Sequence, residues 1–284
     1  MNLFDCHLHT AFSGDSETSP EDMADRAKEI GLSGITITDH LDLKYHHDPG
    51  LFDLDIPAYQ KAVSALAEKY NSPSFKILFG VEVGLKEECV EEHTRIMSET
   101  PFDFVIGSIH EVGGSDPYYP DFYEGKTAAD AINSYFDAML TNIKAFPDFD
   151  ALGHLDYIAR YTARYCGPLE GTLTYEKYAA KIDEILKWLI ENGKALEVNT
   201  GSFRNNMVEP NPSYMILKKY YEMGGREITL GADAHTPATI GDHFEEVAAK
   251  LQEIGFTYYS VFKKRKPIHV SFIEYSPAKA TPRI

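Results

Sequence analysis

Apolar and polar positions alternate strictly over the first residues, Leu3-Phe4-Asp5-Cys6-His7-Leu8-His9. The alternation predicts a short strand with Leu3, Asp5, His7 and His9 on one face and Phe4, Cys6 and Leu8 on the other. A helical stripe of Met23, Ala27 and Ile30 follows, announced by Ser19 and Pro20 and stopped at Gly31. The two patterns then take turns along the chain. Strand-like runs are expected over 34–40, 76–83, 102–110, 151–154, 195–199, 228–235 and 257–262. Helical periodicity is expected over 57–70, 86–98, 127–146, 175–192, 213–223 and 244–254.

Such alternation specifies an α/β fold with a parallel sheet. About seven β/α units over ~250 residues suggest one closed or nearly closed barrel. An open doubly wound sheet is the rival, but it binds ligands at one switch point. Here His7, His9, His40, Glu82, His110, His154, Asp233 and His235 all fall at predicted C-terminal strand ends, and Asn199 ends another. Only a barrel gathers those ends at one mouth. No linker-like break appears, so 1–284 reads as a single domain.

Composition narrows the class. The 284 residues are 43% hydrophobic and 12% aromatic, ample for a sizeable core. No run approaches ~18 consecutive apolar residues, and the start Met-Asn-Leu-Phe-Asp lacks a basic signal region, so a cytoplasmic protein without membrane association is expected. Three scattered cysteines, Cys6, Cys89 and Cys166, do not suggest a disulfide framework or a Cys-x-x-Cys zinc site. A net charge of −17 disfavours a nucleic-acid partner. The oligomeric state is left open.

Six of the eleven histidines fall at strand ends. Mixed nitrogen and oxygen ligands suit zinc, manganese or iron, and eight or more exceed what one ion uses. Two or three divalent or transition metal ions are therefore expected. Glu82, the acidic group of an otherwise apolar run, is the expected bridge. Asp39 and Asp5 are candidates for orienting the ligands from behind. Adjacent metals activate a hydroxide near neutral pH and stabilise attacking and leaving oxygens in phosphoryl transfer.

The segments His7-Leu8-His9-Thr10, Thr38-Asp39-His40, Glu82, Ser108-Ile109-His110, Gly153-His154-Leu155-Asp156 and Asp233-Ala234-His235 occur in an order that resembles the PHP (polymerase and histidinol phosphatase) superfamily. Gly107-Ser108-Ile109-His110, Gly153-His154-Leu155-Asp156-Tyr157 and the length resemble its histidinol-phosphatase branch. The resemblance implies a distorted (β/α)7 TIM-like barrel with three metals. It assigns His7, His9, Glu82 and Asp233 to the first, Glu82, His110 and His154 to the second, and Asp15, His40 and His235 to the third. The alternative for Asp15 is a turn residue at the approach to the first helix.

The activity implied is metal-dependent hydrolysis of L-histidinol phosphate to L-histidinol and phosphate, in histidine biosynthesis, by attack of a metal-bridging hydroxide. Arg160 and Arg204, each shortly after a predicted strand, are candidates for holding the phosphoryl oxygens, with surface positions as the alternative. Glu82, His235, Arg160 and Arg204 form the expected catalytic set. Asp42, Asp116 and Tyr118-Tyr119 are candidates for the cationic amine and imidazole, the alternative being solvated loop positions. Lys263-Lys264-Arg265-Lys266 reads as a solvated surface stretch. Alternatives are a PHP-type nuclease or nucleotide phosphodiesterase, an amidohydrolase barrel (which would want a bridging lysine where Glu82 stands), and a non-catalytic metal-binding protein.

Overall fold

The structure is a computed structural model that describes residues 3–168 and 171–272. Its parallel strands run β1 (Phe4–Asp5), β2 (Gly34–Ile37), β3 (His40–Leu41), β4 (Lys76–Gly84), β5 (Phe104–Ser108), β6 (Ala151–Leu152), β7 (Ala195–Asn199) and β8 (Ile228–Gly231). They pair in the order β1-β2-β4-β5-β6-β7-β8, with β3 also on β4. β2 and β3 are one stave of the barrel interrupted at Thr38-Asp39, since β2 pairs with residues 76–79 and β3 with Glu82 and Val83. The break turns the Asp39 carboxylate towards Thr10 and Ser13.

The sheet closes on itself past the end of β1. Cys6 N–H donates to the Leu230 carbonyl, Asp233 N–H to His7 and His9 N–H to Ala234, each at 2.8 Å. That makes a nearly closed barrel of seven staves. The buried Asp5 carboxylate reinforces the seam by accepting backbone N–H groups of His7, Ala232 and Gly241. Asp5 thus holds backbone rather than imidazoles, which corrects the expectation that it orients ligands.

Helices α1 (Pro20–Glu29), α2 (Ile56–Tyr70), α3 (Val90–Glu99), α4 (Ala128–Ala145), α5 (Ala159–Cys166), α6 (Tyr175–Glu191), α7 (Tyr214–Glu222) and α8 (Phe244–Ile254) complete the β/α alternation. Ser19 caps α1 by accepting from Asp22 N–H, and Thr127 with Asp130 forms a capping box on α4. The helix stripes read from the sequence are the buried faces, for example Ile182, Ile185, Leu186 and Leu189 of α6. α5 is an element the sequence reading missed, being short and rich in tyrosine and arginine.

A hairpin of β9 (Tyr258–Lys263) and β10 (Lys266–Ser271) packs beside β8. Its two-residue turn, Lys264-Arg265, has both residues at positive φ, the geometry that matches the twist of paired strands. The turn docks on the loops entering β5 and β6. Arg265 N–H donates to the Asp103 carbonyl, and its guanidinium reaches Asp150 at 2.5 Å and Asp148 at 3.0 Å. Lys263, Lys264 and Lys266 are exposed, as expected of a solvated stretch, and Arg265 departs from that reading by docking on the barrel. Among the described residues, no helix is long and apolar enough to cross a membrane.

Candidate metal centre

The strand ends deliver their polar side chains to one mouth because inward parity repeats on every stave. Glu82 stands at the centre, fully buried. Its Oε2 lies 3.2 Å from His7 Nε2 and 3.4 Å from His9 Nε2. These two nitrogens are 3.0 Å apart, and Asp233 Oδ1 lies 3.4 Å from His9 Nε2. The other Glu82 oxygen, Oε1, lies 2.9 Å from His154 Nε2 and 3.3 Å from His110 Nε2. At the outer edge Asp15 Oδ2 is 3.0 Å from His235 Nε2 and 3.6 Å from His40 Nε2. His9 stacks between His40 and His235, with ring centroids 4.2 and 4.3 Å away.

Hydrogen bonds on the far side of the rings settle which nitrogens face inward. His7 Nδ1 donates to Glu197 Oε1 at 2.5 Å, His110 Nδ1 to Asp42 Oδ1 at 2.7 Å and His9 Nδ1 to Ser13 Oγ at 3.1 Å. Ser13 in turn donates to Asp39 at 2.8 Å. A neutral imidazole that donates through Nδ1 presents a lone pair at Nε2. So the Nε2 atoms of His7 and His9, 3.0 Å apart, and the buried Glu82 Oε2, which has no hydrogen-bond partner, converge on one point. A cation satisfies such a set. Three-residue groups with ligand atoms within 4.8 Å of one another are His7-His9-Asp233, Glu82-His110-His154, His9-His40-His235 and His40-Asp42-His110. The residues fit bound metal ions.

Charges in the centre are strongly coupled. Burial would raise the Glu82 carboxyl, but His7, His110 and His40 outweigh it and hold it well below the usual range. The same contest holds Asp233 low through His7, His9 and Arg160. Burial and the neighbouring His40 and His235 push His9 down to about 3. Burial opposes protonation of His110, yet Asp42 and Glu82 lift it to about 10. A metal ion would have to displace that proton, so occupancy is tied to pH.

Beside the centre opens a cavity of about 290 Å³ lined by Glu82, His110, His154, Asp233, Arg160 and a ring of aromatic residues. Arg160 lies over Tyr157, its guanidinium carbon 5.1 Å from the ring centre. It donates to Asn211 Oδ1 at 2.8 Å, Asn199 Oδ1 at 2.9 Å and Asp233 Oδ2 at 3.2 Å. Asp156 holds Asn211 in turn, accepting its amide at 2.6 Å. Arg204 sits behind, giving its guanidinium to the Asp233 carbonyl at 2.6 Å. The two guanidiniums approach because residue 201 is glycine. A β-carbon there would stand 2.9 Å from Arg204 and 3.1 Å from Arg160.

Asp116 also lines the cavity, with Tyr45, Phe52, Tyr118 and Tyr119. Burial pushes its carboxyl up to about 6, against the N–H of Tyr118. Asp42, expected at the same end, is instead fully buried behind His110 and His40 and does not line the cavity. That corrects its reading as a substrate contact. Two inward residues were passed over in the sequence. Glu197 orients His7, and Ser108 donates to Glu82 at 2.6 Å. Their parity on β7 and β5 was the available signal.

Known proteins share this arrangement of sequence and fold. Residues 5–201 match the PHP domain. A probable histidinol-phosphatase of Clostridium acetobutylicum is 38% identical over 251 residues, which cover 88% of this chain and 93% of that protein. The histidinol-phosphatase of Lactococcus lactis is 31% identical over 94% of this chain and 96% of its own length. A crystal structure of histidinol phosphate phosphatase from L. lactis, complexed with Zn, L-histidinol and phosphate, superimposes with a TM-score of 0.85 at 30% identity. The match covers 94% of this chain and 99% of that one.

Proposed function

The chain belongs to the PHP domain family, and from its membership among the histidinol phosphatases we infer the reaction, hydrolysis of L-histidinol phosphate to L-histidinol and inorganic phosphate. The observation that carries this is the convergence on Glu82 of two sets of inward lone pairs, beside a cavity holding a buried arginine. A phosphomonoester needs both a cationic cradle and a nucleophile.

Two or three ions, zinc, manganese or iron, fit the ligand groups. His7, His9, Glu82 and Asp233 would hold the first, Glu82, His110 and His154 the second, and Asp15, His40 and His235 the third. When bound, they supply Lewis acidity at the phosphoryl oxygens and a water acidic enough to ionise near neutral pH. Glu82, with Oε2 towards His7 and His9 and Oε1 towards His110 and His154, would be common to the first two groups. Arg160, already fixed by Asn199, Asn211 and Asp233, extends forked donors to phosphoryl oxygens. Arg204 keeps the Asp233 backbone in place and adds positive potential behind it. With no ion at the third position, His235, the most exposed of these six histidines at 30% of its side chain, can pass a proton from Nε2 to the departing alkoxide. Asp116 and the tyrosines around it suit the amine and imidazole of histidinol, a carboxylate for the charge and π-faces for the ring.

We take residues 1–284 as one domain, since the β9–β10 hairpin docks on loops of the barrel itself. Its biosynthetic substrate suits a cytoplasmic setting. The test is phosphate release by the metal-loaded protein on L-histidinol phosphate, other phosphomonoesters and a phosphodiester, with a chelated control. Chelator-sensitive preference for L-histidinol phosphate is expected. Preference for the diester would move the assignment to nuclease or phosphodiesterase.

A further inference from the structure

Lys86 touches neither the metal centre nor the cavity, yet it ties together the loops that form the cavity's organic end. It follows β4 by two residues, and only 8% of its side chain is exposed. Its ammonium donates to the carbonyls of Leu43 and Lys44, each at 3.0 Å, and pairs with the Glu111 carboxylate. Lys44 has φ 55°, a left-handed turn within the segment whose consecutive carbonyls meet the ammonium. The second oxygen of Glu111 accepts the His46 N–H at 2.9 Å. Three points of the loop after β3 (residues 43, 44 and 46) are therefore fastened to a buried ion pair rooted behind β4 and β5.

That loop carries Tyr45, Leu51 and Phe52 into the cavity wall, while the loop beginning at Glu111 carries Asp116, Tyr118 and Tyr119 into the adjoining wall. The walls meet where Tyr45 Oη donates to Asp116 Oδ2 at 2.9 Å. Lys86 Nζ also lies 6.0 Å from the Tyr45 ring centre. An ammonium is suited to this junction because its three diverging donors match two carbonyls and a carboxylate. A buried ion pair is a poor source of stability, since an apolar pair of similar volume commonly does as well. Its value here is geometric.

We propose that Lys86, through Glu111, is a positioning residue for specificity: it sets the separation of the two aromatic walls that receive the organic group of the phosphomonoester. The phosphoryl end, built from Glu82, Arg160 and the metal ligands, is supported by other contacts. This rests on the phosphatase reading above.

The experiment compares wild type, Lys86→Met and the double variant Lys86→Met/Glu111→Gln, each metal-loaded. The double variant removes the uncompensated carboxylate that could unfold the single one. L-histidinol phosphate is compared with p-nitrophenyl phosphate, which has no cationic chain, and metal content is measured in parallel. The expected result is a fall of about 10- to 100-fold in kcat/KM for L-histidinol phosphate, carried by KM. On p-nitrophenyl phosphate kcat/KM should stay within about threefold, with full metal content. Equal losses on both esters, a loss of metal, or no change on either would overturn the proposal. If wild type instead prefers another phosphomonoester, the histidinol reading falls. The same ratio taken on that ester then decides the role of Lys86.

Discussion

The Asp42 carboxylate fills the space that a β-carbon on Gly84 would need: an added carbon would stand 1.7 Å from Oδ1. Glycine at the end of β4 thus lets one buried carboxylate sit behind two histidines. Oδ1 accepts from His110 Nδ1 at 2.7 Å, and Oδ2 lies 3.2 Å from His40 Nδ1. Burial works against its charge, but the two imidazoles win and hold its carboxyl below the ordinary range. An amide has one acceptor oxygen and cannot serve both rings. Asp42→Asn should therefore weaken metal binding about 10- to 100-fold at the positions served by His40 and His110. Gly84→Ala, which must push Asp42 aside, should act in the same direction. Metal content after dialysis and titration against a competing chelator measure this. Unchanged affinity in both variants would show that Asp42 does not orient the ligands.

Arg160 has a separate signature. Its forked contacts to Asn199 and Asp233 cannot be copied by a lysine, whose charge sits at one point. Arg160→Lys should lower kcat/KM on L-histidinol phosphate by about 10²–10³-fold, the range for losing a donor to developing charge. Metal content should stay full, because Asp233 keeps its Asn199 and Arg204 contacts. Metal loss matching the activity loss would instead make Arg160 a support for Asp233.

Much of this centre was legible because a strand repeats every two residues. His7 and His9 share a face, as do Ser108 and His110, and a parallel barrel points all such faces inward at the same end. Parity does not reveal distance, however. Asp42 and Asp116 both follow strands in polar loops, and the sequence treated them alike. The chain's path then buried Asp42 behind the histidines and left Asp116 on the cavity. Glu197 shares its strand face with Asn199, but its partner is visible only where β1 closes beside β8 and brings His7 to it. The β9–β10 turn was hidden for another reason. Lysine and arginine at positive φ carry no glycine or asparagine to announce the bend.

That turn should matter for stability and not for turnover. The Arg265 guanidinium bonds the buried Asp150 carboxylate, which also accepts the Val105 N–H at 2.9 Å. Arg265→Ala removes the guanidinium that bonds Asp150 at the bottom of the barrel and leaves the more distant Lys194 as its cationic neighbour. A loss of about 2 kcal/mol is expected from denaturant unfolding. The kcat of the folded enzyme at 25 °C should be unchanged. A stability within about 0.5 kcal/mol of wild type would reduce the contact to a surface pair.

His93 gives a pH-dependent term that does not run through the metal ligands. It lies fully buried in α3 against Phe146, and neither ring nitrogen has a hydrogen-bonding partner among the described residues. Burial drives its pKa from the ordinary 6.5 down to about 4. Below pH 6.5 the unfolded chain gains a proton at this ring that the folded chain refuses. Stability is then lost as the pH falls from about 6.5 towards 4, and the loss is complete once both states are protonated. The shift corresponds to at most about 3 kcal/mol. His93→Leu removes the titrating group while keeping an apolar side chain of similar size. The variant should gain stability relative to wild type progressively over that window, with little further change below it. Unfolding free energies at matched pH values, both proteins under chelator so that metal release cancels, give the difference directly. Parallel curves from pH 7 to pH 4 would mean that the folded protein accepts the proton, and that His93 is not held neutral.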